Sequence, residues 1–262
     1  MMAIMKSPSR RMFAKMGLAA VSACAAPTAS AMPQSASSLD GRLAARPGMA
    51  RKPSVQHGEF SLLESPQPLV FIPDSVDAKK PAPMILLLHG AGQRAERLLT
   101  RITPASQARG VIILAPQAAS ATWDIIRAFR GAAINFSEDA QRLDASLSAL
   151  FTQFTIDPKR VAIGGFSDGA SYALSLGPRN QELFTHIMGF SPGGFVPFDD
   201  KARAKVFVSH GRQDQILNFE NAAESVVPDM KAHGFDVRFE AFDGKHVFRE
   251  EEIAKAMDWF LG

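Results

Sequence analysis

Ser167 lies in G-F-S-D-G (Gly165–Gly169), between an apolar run starting at Val161 and a helix-like stretch over Ala170–Leu176. Glycines two residues to either side let the chain double back there and present the hydroxyl at the edge of a sheet. Chance alone delivers such a pentapeptide in roughly one chain in ten of this length, so its company decides. His89-Gly90-Ala91-Gly92 closes an earlier apolar run, and an aspartate and a histidine follow in the order Ser…Asp…His. These residue types can carry acyl transfer. A hydroxyl attacks a carbonyl, an imidazole takes its proton, a carboxylate steadies the imidazole, and backbone N–H groups hold the oxyanion.

Six histidines compete for the role of base: His57, His89, His186, His210, His233 and His246. His57 falls in an irregular N-terminal stretch, His233 near the end of a predicted helix, and His186 at the start of a strand, the wrong end of the sheet. His89 and His210 precede glycines at strand ends, where shaping a turn suits them better than proton transfer. His246, in Asp243-Gly244-Lys245-His246 after the last predicted strand, is the candidate base. Asp214, in Ser209-His210-Gly211-Arg212-Gln213-Asp214, is the candidate acid. Asp243 is its rival, but it sits three residues from His246 and suits a turn. The N–H groups of Ala91 and Asp168 are the expected oxyanion donors.

The chain has 262 residues, 46% of them hydrophobic, enough for one sizeable core. Its net charge is +3, yet four of the 29 basic residues lie in the first 31 positions, which hold no acidic residue. The remainder therefore carries 25 basic against 26 acidic side chains and offers no electrostatic reason to bind nucleic acid. The basic start is similar to a twin-arginine export signal. Arg10-Arg11 precede the apolar stretch Met16–Ala26, and Ala29-Ser30-Ala31 is a small-residue cleavage site. That stretch is too short to span a bilayer. Val21-Ser22-Ala23-Cys24 forms a competing lipoprotein-type box, whose use would place a lipid on Cys24; cleavage after Ala31, beyond Pro27, is the favoured expectation. A periplasmic or secreted location follows, with membrane contact confined to export or to that lipid. Cys24 is the only cysteine, so neither an intramolecular disulfide nor a catalytic thiol is expected. No metal-ligand spacing is present, and neither metal nor cofactor is expected.

Positioning these side chains falls to alternating strands and helices. Residues 32–57 read as a linker or loosely docked arm, and the domain runs from 58 to 262. Strands are predicted at Glu59–Leu63, Leu69–Ile72, Met84–Leu88, Val111–Ala115, Val161–Gly165, Ile187–Phe190, Val206–Ser209 and Val237–Phe242. Helices are predicted at Glu138–Phe154, capped by Ser137 and ended by Asp157-Pro158, and at Glu220–Ala232 and Glu250–Leu261. The expected fold class is α/β: a mainly parallel eight-stranded sheet flanked by helices.

With these residues in place, the chain resembles the α/β-hydrolase superfamily, and within it the small phospholipase/carboxylesterase-type branch related to dienelactone hydrolases. The likeness rests on Leu86–Gly92, Thr122–Asp124, Asp157–Gly177, Leu183–Gly193, Val208–Asp214 and Phe242–His246, and covers roughly Pro68–Leu261. Dienelactone hydrolases proper carry cysteine where this chain has Ser167. The resemblance implies Ser167, Asp214 and His246 as the triad and a small-molecule carboxylic ester as substrate. Only Ser191–Lys205 separates the sixth strand from the seventh, so no cap domain is expected, and the open site would be lined by Trp123, Phe195 and Phe248. An acyltransferase or peptidase using the same triad, or an exported binding protein without catalysis, are the alternatives.

Overall fold

Eight strands join side by side: β1 (Gly58–Ser61), β2 (Leu69–Ile72), β3 (Ala82–Leu88), β4 (Ile112–Ala115), β5 (Ile156–Phe166), β6 (His186–Phe190), β7 (Lys205–Gly211) and β8 (Asp236–Phe242). Their order across the sheet is β1-β2-β4-β3-β5-β6-β7-β8. The β1/β2 and β2/β4 pairs are antiparallel and all others parallel. This computed structural model describes residues 40–64 and 67–262. The expected export segment, both candidate cleavage points and Cys24 lie outside the described residues.

β4 is buried throughout, as are the last five residues of β3, because helices cover both faces. Successive side chains of β3 divide between two cores. Met84, Leu86 and Leu88 meet Leu143, Leu147 and Leu150 of α2 (Glu138–Gln153) and Tyr172 and Leu176 of α3 (Asp168–Leu176). Ile85 and Leu87 meet Leu98, Leu99 and Ile102 of α1 (Ala95–Arg109) and Ile253, Met257 and Phe260 of α6 (Glu250–Leu261). From β3 the chain crosses through α1 to β4 on one side, then returns through α2 to β5 on the other. The carboxyl edge between β3 and β5 is thus the switch point where such sheets gather chemistry. Leu88 pairs with Gly165, so His89–Gly92 and Ser167 leave the sheet next to each other.

Several elements depart from the sequence pattern, each for a physical reason. α1 is not among the predicted helices: Pro104 sits in its interior and its apolar stripe is short. Asp157-Pro158 does not end a helix but lies inside β5. The β3/β5 register shifts between Ala82↔Ile156 and Met84↔Val161, and this bulge takes up a proline that cannot donate to the ladder. The predicted helix over 220–232 is broken into α4 (Phe219–Asn221), a π-turn at Ala222–Val226 and α5 (Val227–Ala232). Pro228 cannot donate to the carbonyl four residues earlier, and the wider turn accommodates the loss. Within the arm, residues 40–54 are fastened to the body. Leu43 and Ala45 are buried, the Leu43 N–H donates to Asn180 Oδ1 at 2.8 Å, and the Ala44 and Ala45 N–H groups share Asp144 Oδ1 at 2.7 Å.

Ser137 occupies the α2 N-cap position but makes no side-chain cap bond. Asp124, from outside the helix, takes that role. Asp124 Oδ2 accepts from the Asp139 N–H at 3.2 Å, while Asp139 accepts from the Asp124 and Ala119 N–H groups at 2.7 and 2.8 Å. Burial, then the adjacent Asp139 charge, push the Asp124 carboxyl up to about 6, against backbone N–H groups that favour its ionised form. A carboxyl raised in the folded state holds its proton more tightly there than in the unfolded chain. Its stabilising contribution is therefore present below about pH 4 and lost as pH rises through about 6. Asp124→Asn keeps an acceptor for those N–H groups and removes the charge. The variant is expected to be more stable than the parent at pH 7.5, by about 2 kcal/mol, and to keep only about half of that advantage at pH 5. Thermal unfolding at both pH values checks it; an equal loss of stability at both would show that the charge carries no cost.

Candidate active site

Ser167 is the single residue between β5 and α3. Its backbone is held at φ 58, ψ −121, a region that costs a non-glycine residue roughly 1–3 kcal/mol. Its N–H donates to the Phe190 carbonyl at 2.9 Å and its carbonyl accepts from the Ser171 N–H at 3.0 Å. The flanking glycines are explained by what surrounds them. A Cβ on Gly169 would lie 2.1 Å from the Leu88 carbonyl oxygen, and one on Gly165 would lie 2.4 Å from the Gly169 backbone. α3 can start only where three backbone segments touch.

The loops after β7 and β8 are stitched together at this same edge. The Arg212 N–H donates to the Phe242 carbonyl at 2.8 Å and the Gln213 N–H to the Gly244 carbonyl at 2.9 Å. This brings His246 Nδ1 within 2.7 Å of Asp214 Oδ2, a spacing in which the ring N–H donates to the carboxylate. Asp214 Oδ1 accepts from the Ile216 and Leu217 N–H groups, both at 2.9 Å. Burial alone would raise the Asp214 carboxyl, but these N–H donors together with His246 outweigh it and hold the group below its ordinary value. The carboxylate stays ionised and can stabilise an imidazolium. The His246 ring lies over Phe166, the residue before the serine, with centroids 4.7 Å apart. Among the described residues the Ser167 hydroxyl makes no hydrogen bond; in free enzymes such contacts are often long and tighten when substrate binds. The Asp243 side chain is 86% exposed beside Arg212, so the structure brings Asp214, not its rival, to the imidazole.

The remaining histidines are otherwise engaged. His89 bonds the Gly90 carbonyl through Nδ1 at 2.8 Å, and its Nε2 accepts from the Ala118 N–H at 3.0 Å. That pairing holds one neutral tautomer, and burial lowers its pKa. His186 lies edge-on to Trp259 and Phe260, where burial brings it down to about 4. His57 reaches the Pro73 carbonyl and His233 the Asp229 carbonyl. His210 has a part that its place before a glycine does not reveal. Its Nε2 sits 2.8 Å from the Leu217 carbonyl and 3.1 Å from Asp214 Oδ2, so a second ring N–H faces the carboxylate that His246 uses.

The His89–Gly92 turn abuts the serine: a Cβ on Gly90 would lie 3.1 Å from Ser167 Cβ. Among the described residues the N–H groups of Ala91 and Asp168 donate to no protein acceptor and remain available to an oxyanion. Thr122 Oγ1 donates to Asp168 Oδ2 at 2.6 Å, tying the start of α3 to the neighbouring loop. T-W-D is visible in the sequence, but nothing local assigns this role to its threonine. Trp123, an expected lining residue, is a core side chain instead. It is 1% exposed, packs between the rings of His89 and Tyr172, and donates from Nε1 to the His89 carbonyl at 2.8 Å. An amphipathic ring with a buried partner for its N–H gains more inside than at an open rim. Phe248 is also buried, against Phe166 and Phe190, yet it borders a small pocket beside His246. Phe195 lines an apolar cavity of about 350 Å³ with Phe129, Gly194 and Val226.

A phospholipase/carboxylesterase family model matches residues 75–260. An acyl-protein thioesterase 1 from Yarrowia lipolytica is 28% identical over 135 residues, 47% of this chain and 57% of that protein. A bifunctional acetylxylan esterase/xylanase from Neocallimastix patriciarum is 26% identical over 147 residues, 53% of this chain and 20% of that protein. The aligned stretch therefore spans under two thirds of either curated relative. Among solved structures, an S-formylglutathione hydrolase from Staphylococcus aureus superposes with a TM-score of 0.62 at 15% identity, covering 78% of this chain and 99% of the other. That likeness speaks for the α/β-hydrolase fold. Taken with the serine elbow and the carboxylate–imidazole pair, the family match places this chain in the phospholipase/carboxylesterase family.

Proposed function

We propose that the chain is a serine hydrolase of carboxylic esters with Ser167 as nucleophile, His246 as base and Asp214 as its orienting acid. The observation that carries the reading is the 2.7 Å His246–Asp214 contact beside a serine held at positive φ. His246 Nε2 takes the Ser167 proton as Oγ attacks the ester carbonyl. The oxyanion that forms is stabilised by the N–H groups of Ala91 and Asp168, each such donor worth on the order of a hundredfold in turnover. Collapse of the tetrahedral adduct breaks the bond to the alcohol, which leaves with the proton from His246. Water, deprotonated by the same ring, then releases the acid and restores the serine. Burst release of p-nitrophenol from a short-chain ester tests the acyl-enzyme, and partition of the acyl group into an added alcohol tests hydrolysis against transfer. A progress curve no faster than the blank would overturn the reading.

The finer reading places the protein outside the inner membrane. It is supported by the paired arginines, the apolar stretch and the small-residue site of residues 1–31. Arg10→Lys with Arg11→Lys is expected to retain the unprocessed chain in the cytoplasm, and the mass of the exported form separates cleavage after Ala31 from lipidation of Cys24. Equal export of the paired variant would count against the twin-arginine route.

A further inference from the structure

Beside His246 the surface dips into a pocket of about 110 Å³, bordered by Gln93, Arg97, Arg101, Phe166, His246 and Phe248. We propose that this pocket binds an anionic group, a carboxylate or a phosphate, carried on the leaving-alcohol side of the ester. The inference rests on the esterase reading above and adds a substrate class to it. The side of the substrate follows from the chemistry. His246 must hand its proton to the departing oxygen, so the alcohol lies against the imidazole, and the imidazole is part of this pocket's wall.

The sign of the charge follows from the two arginines. Arg97 and Arg101 stand one turn apart on the same face of α1. Among the described residues neither guanidinium has a hydrogen bond or ion pair. Their surroundings make this a distinction. Arg94 is held by Glu96 at 3.0 Å, Arg109 by Asp258 at 2.7 Å and Arg249 by Glu251 at 2.7 Å, so other arginines have the carboxylate partners that these two lack. Like charges at this spacing repel, and Arg97, in the first turn of α1, opposes the helix dipole. The free protein gains nothing from the arrangement, whereas an anion between the two heads would be gripped by planar forks suited to carboxylate or phosphate. The Gln93 carboxamide, over Gly90 beside Ser167, bridges the oxyanion turn to the pocket and can donate to the same anion. The volume suits a small headgroup, not a long chain.

The test uses the full chain and three butyrate esters that differ only in the leaving phenol: phenyl, 3-carboxyphenyl and 3-phosphonooxyphenyl. The quantity read is the ratio of kcat/KM for each anionic ester to that for the phenyl ester, which does not depend on the fraction of enzyme folded. The parent is expected to favour at least one anionic ester, and the larger ratio identifies the headgroup. Arg97→Gln with Arg101→Gln should lower that ratio about tenfold, since an exposed charge contact is worth about a factor of three to five. Salt at 0.5 M should shrink the parent's preference toward the variant's. Arg94→Gln, whose parent side chain is already held by Glu96, should keep the parent ratio. Cleavage of all three esters with a ratio unmoved by the paired substitution overturns the anion subsite and leaves the esterase reading intact. Cleavage of none by the parent overturns the esterase reading and the subsite with it.

Discussion

Ser167→Ala is expected to lower kcat for a short-chain ester by a factor on the order of 10⁴–10⁶, leaving only the slow reaction that oxyanion donors and binding support by themselves. The melting temperature should barely move. Among the described residues the hydroxyl makes no hydrogen bond, and alanine meets the same backbone demand at φ 58. His246→Ala should cost a similar factor, because attack needs the base as much as the hydroxyl. The double variant should be no worse than either single one, since groups that act in one step do not contribute independently. Single-turnover kinetics on a p-nitrophenyl ester, beside thermal unfolding, measures both halves. A Ser167→Ala enzyme that keeps a tenth of its turnover would remove the serine from the reaction.

Gly169→Ala is the second large effect, and it acts through the fold. The new Cβ would lie 2.1 Å from the Leu88 carbonyl oxygen and 2.6 Å from that of His89. Both neighbours are backbone at the carboxyl end of β3, so no rotamer change relieves the contact. α3 must be pushed off β3, at a cost of roughly 3–5 kcal/mol. For a domain of this size that is about 10 °C or more in Tm. The same displacement moves Ser167 relative to the Ala91 N–H, and a shift of about 1 Å lowers turnover on the order of a hundredfold. Two glycine controls separate crowding from backbone strain. Gly92→Ala meets no atom within 4 Å but sits at φ 64, and should cost about 1 kcal/mol from strain alone. Gly48→Ala meets neither obstacle and should be neutral. If Gly169→Ala unfolds no earlier than Gly48→Ala, the three-segment contact is not what the elbow requires.

The two effects show why some of this protein was readable from its residues and some was not. The elbow around Ser167, the H-G-A-G turn and the buried strands are local matters: turn geometry demands glycine, and a strand covered on both faces must be apolar along its length. The order Ser…Asp…His narrowed the base to His246 because each other histidine had a local reason to be elsewhere. Tertiary contacts decided what local pattern left open. Asp214 and Asp243 both follow strands, and only the stitching of the β7 and β8 loops turns one inward and leaves the other in solvent. Trp123 has the composition of a rim residue, yet the carbonyl that accepts its N–H comes from a turn 34 residues away in the chain. α1, with a proline in its middle, takes its face from the sheet it covers, and so the placing of Arg97 and Arg101 beside His246 is visible only once that helix is docked. Patterns in sequence report what a segment must bury or bend around; which segments then meet is set by contacts between residues far apart in the chain.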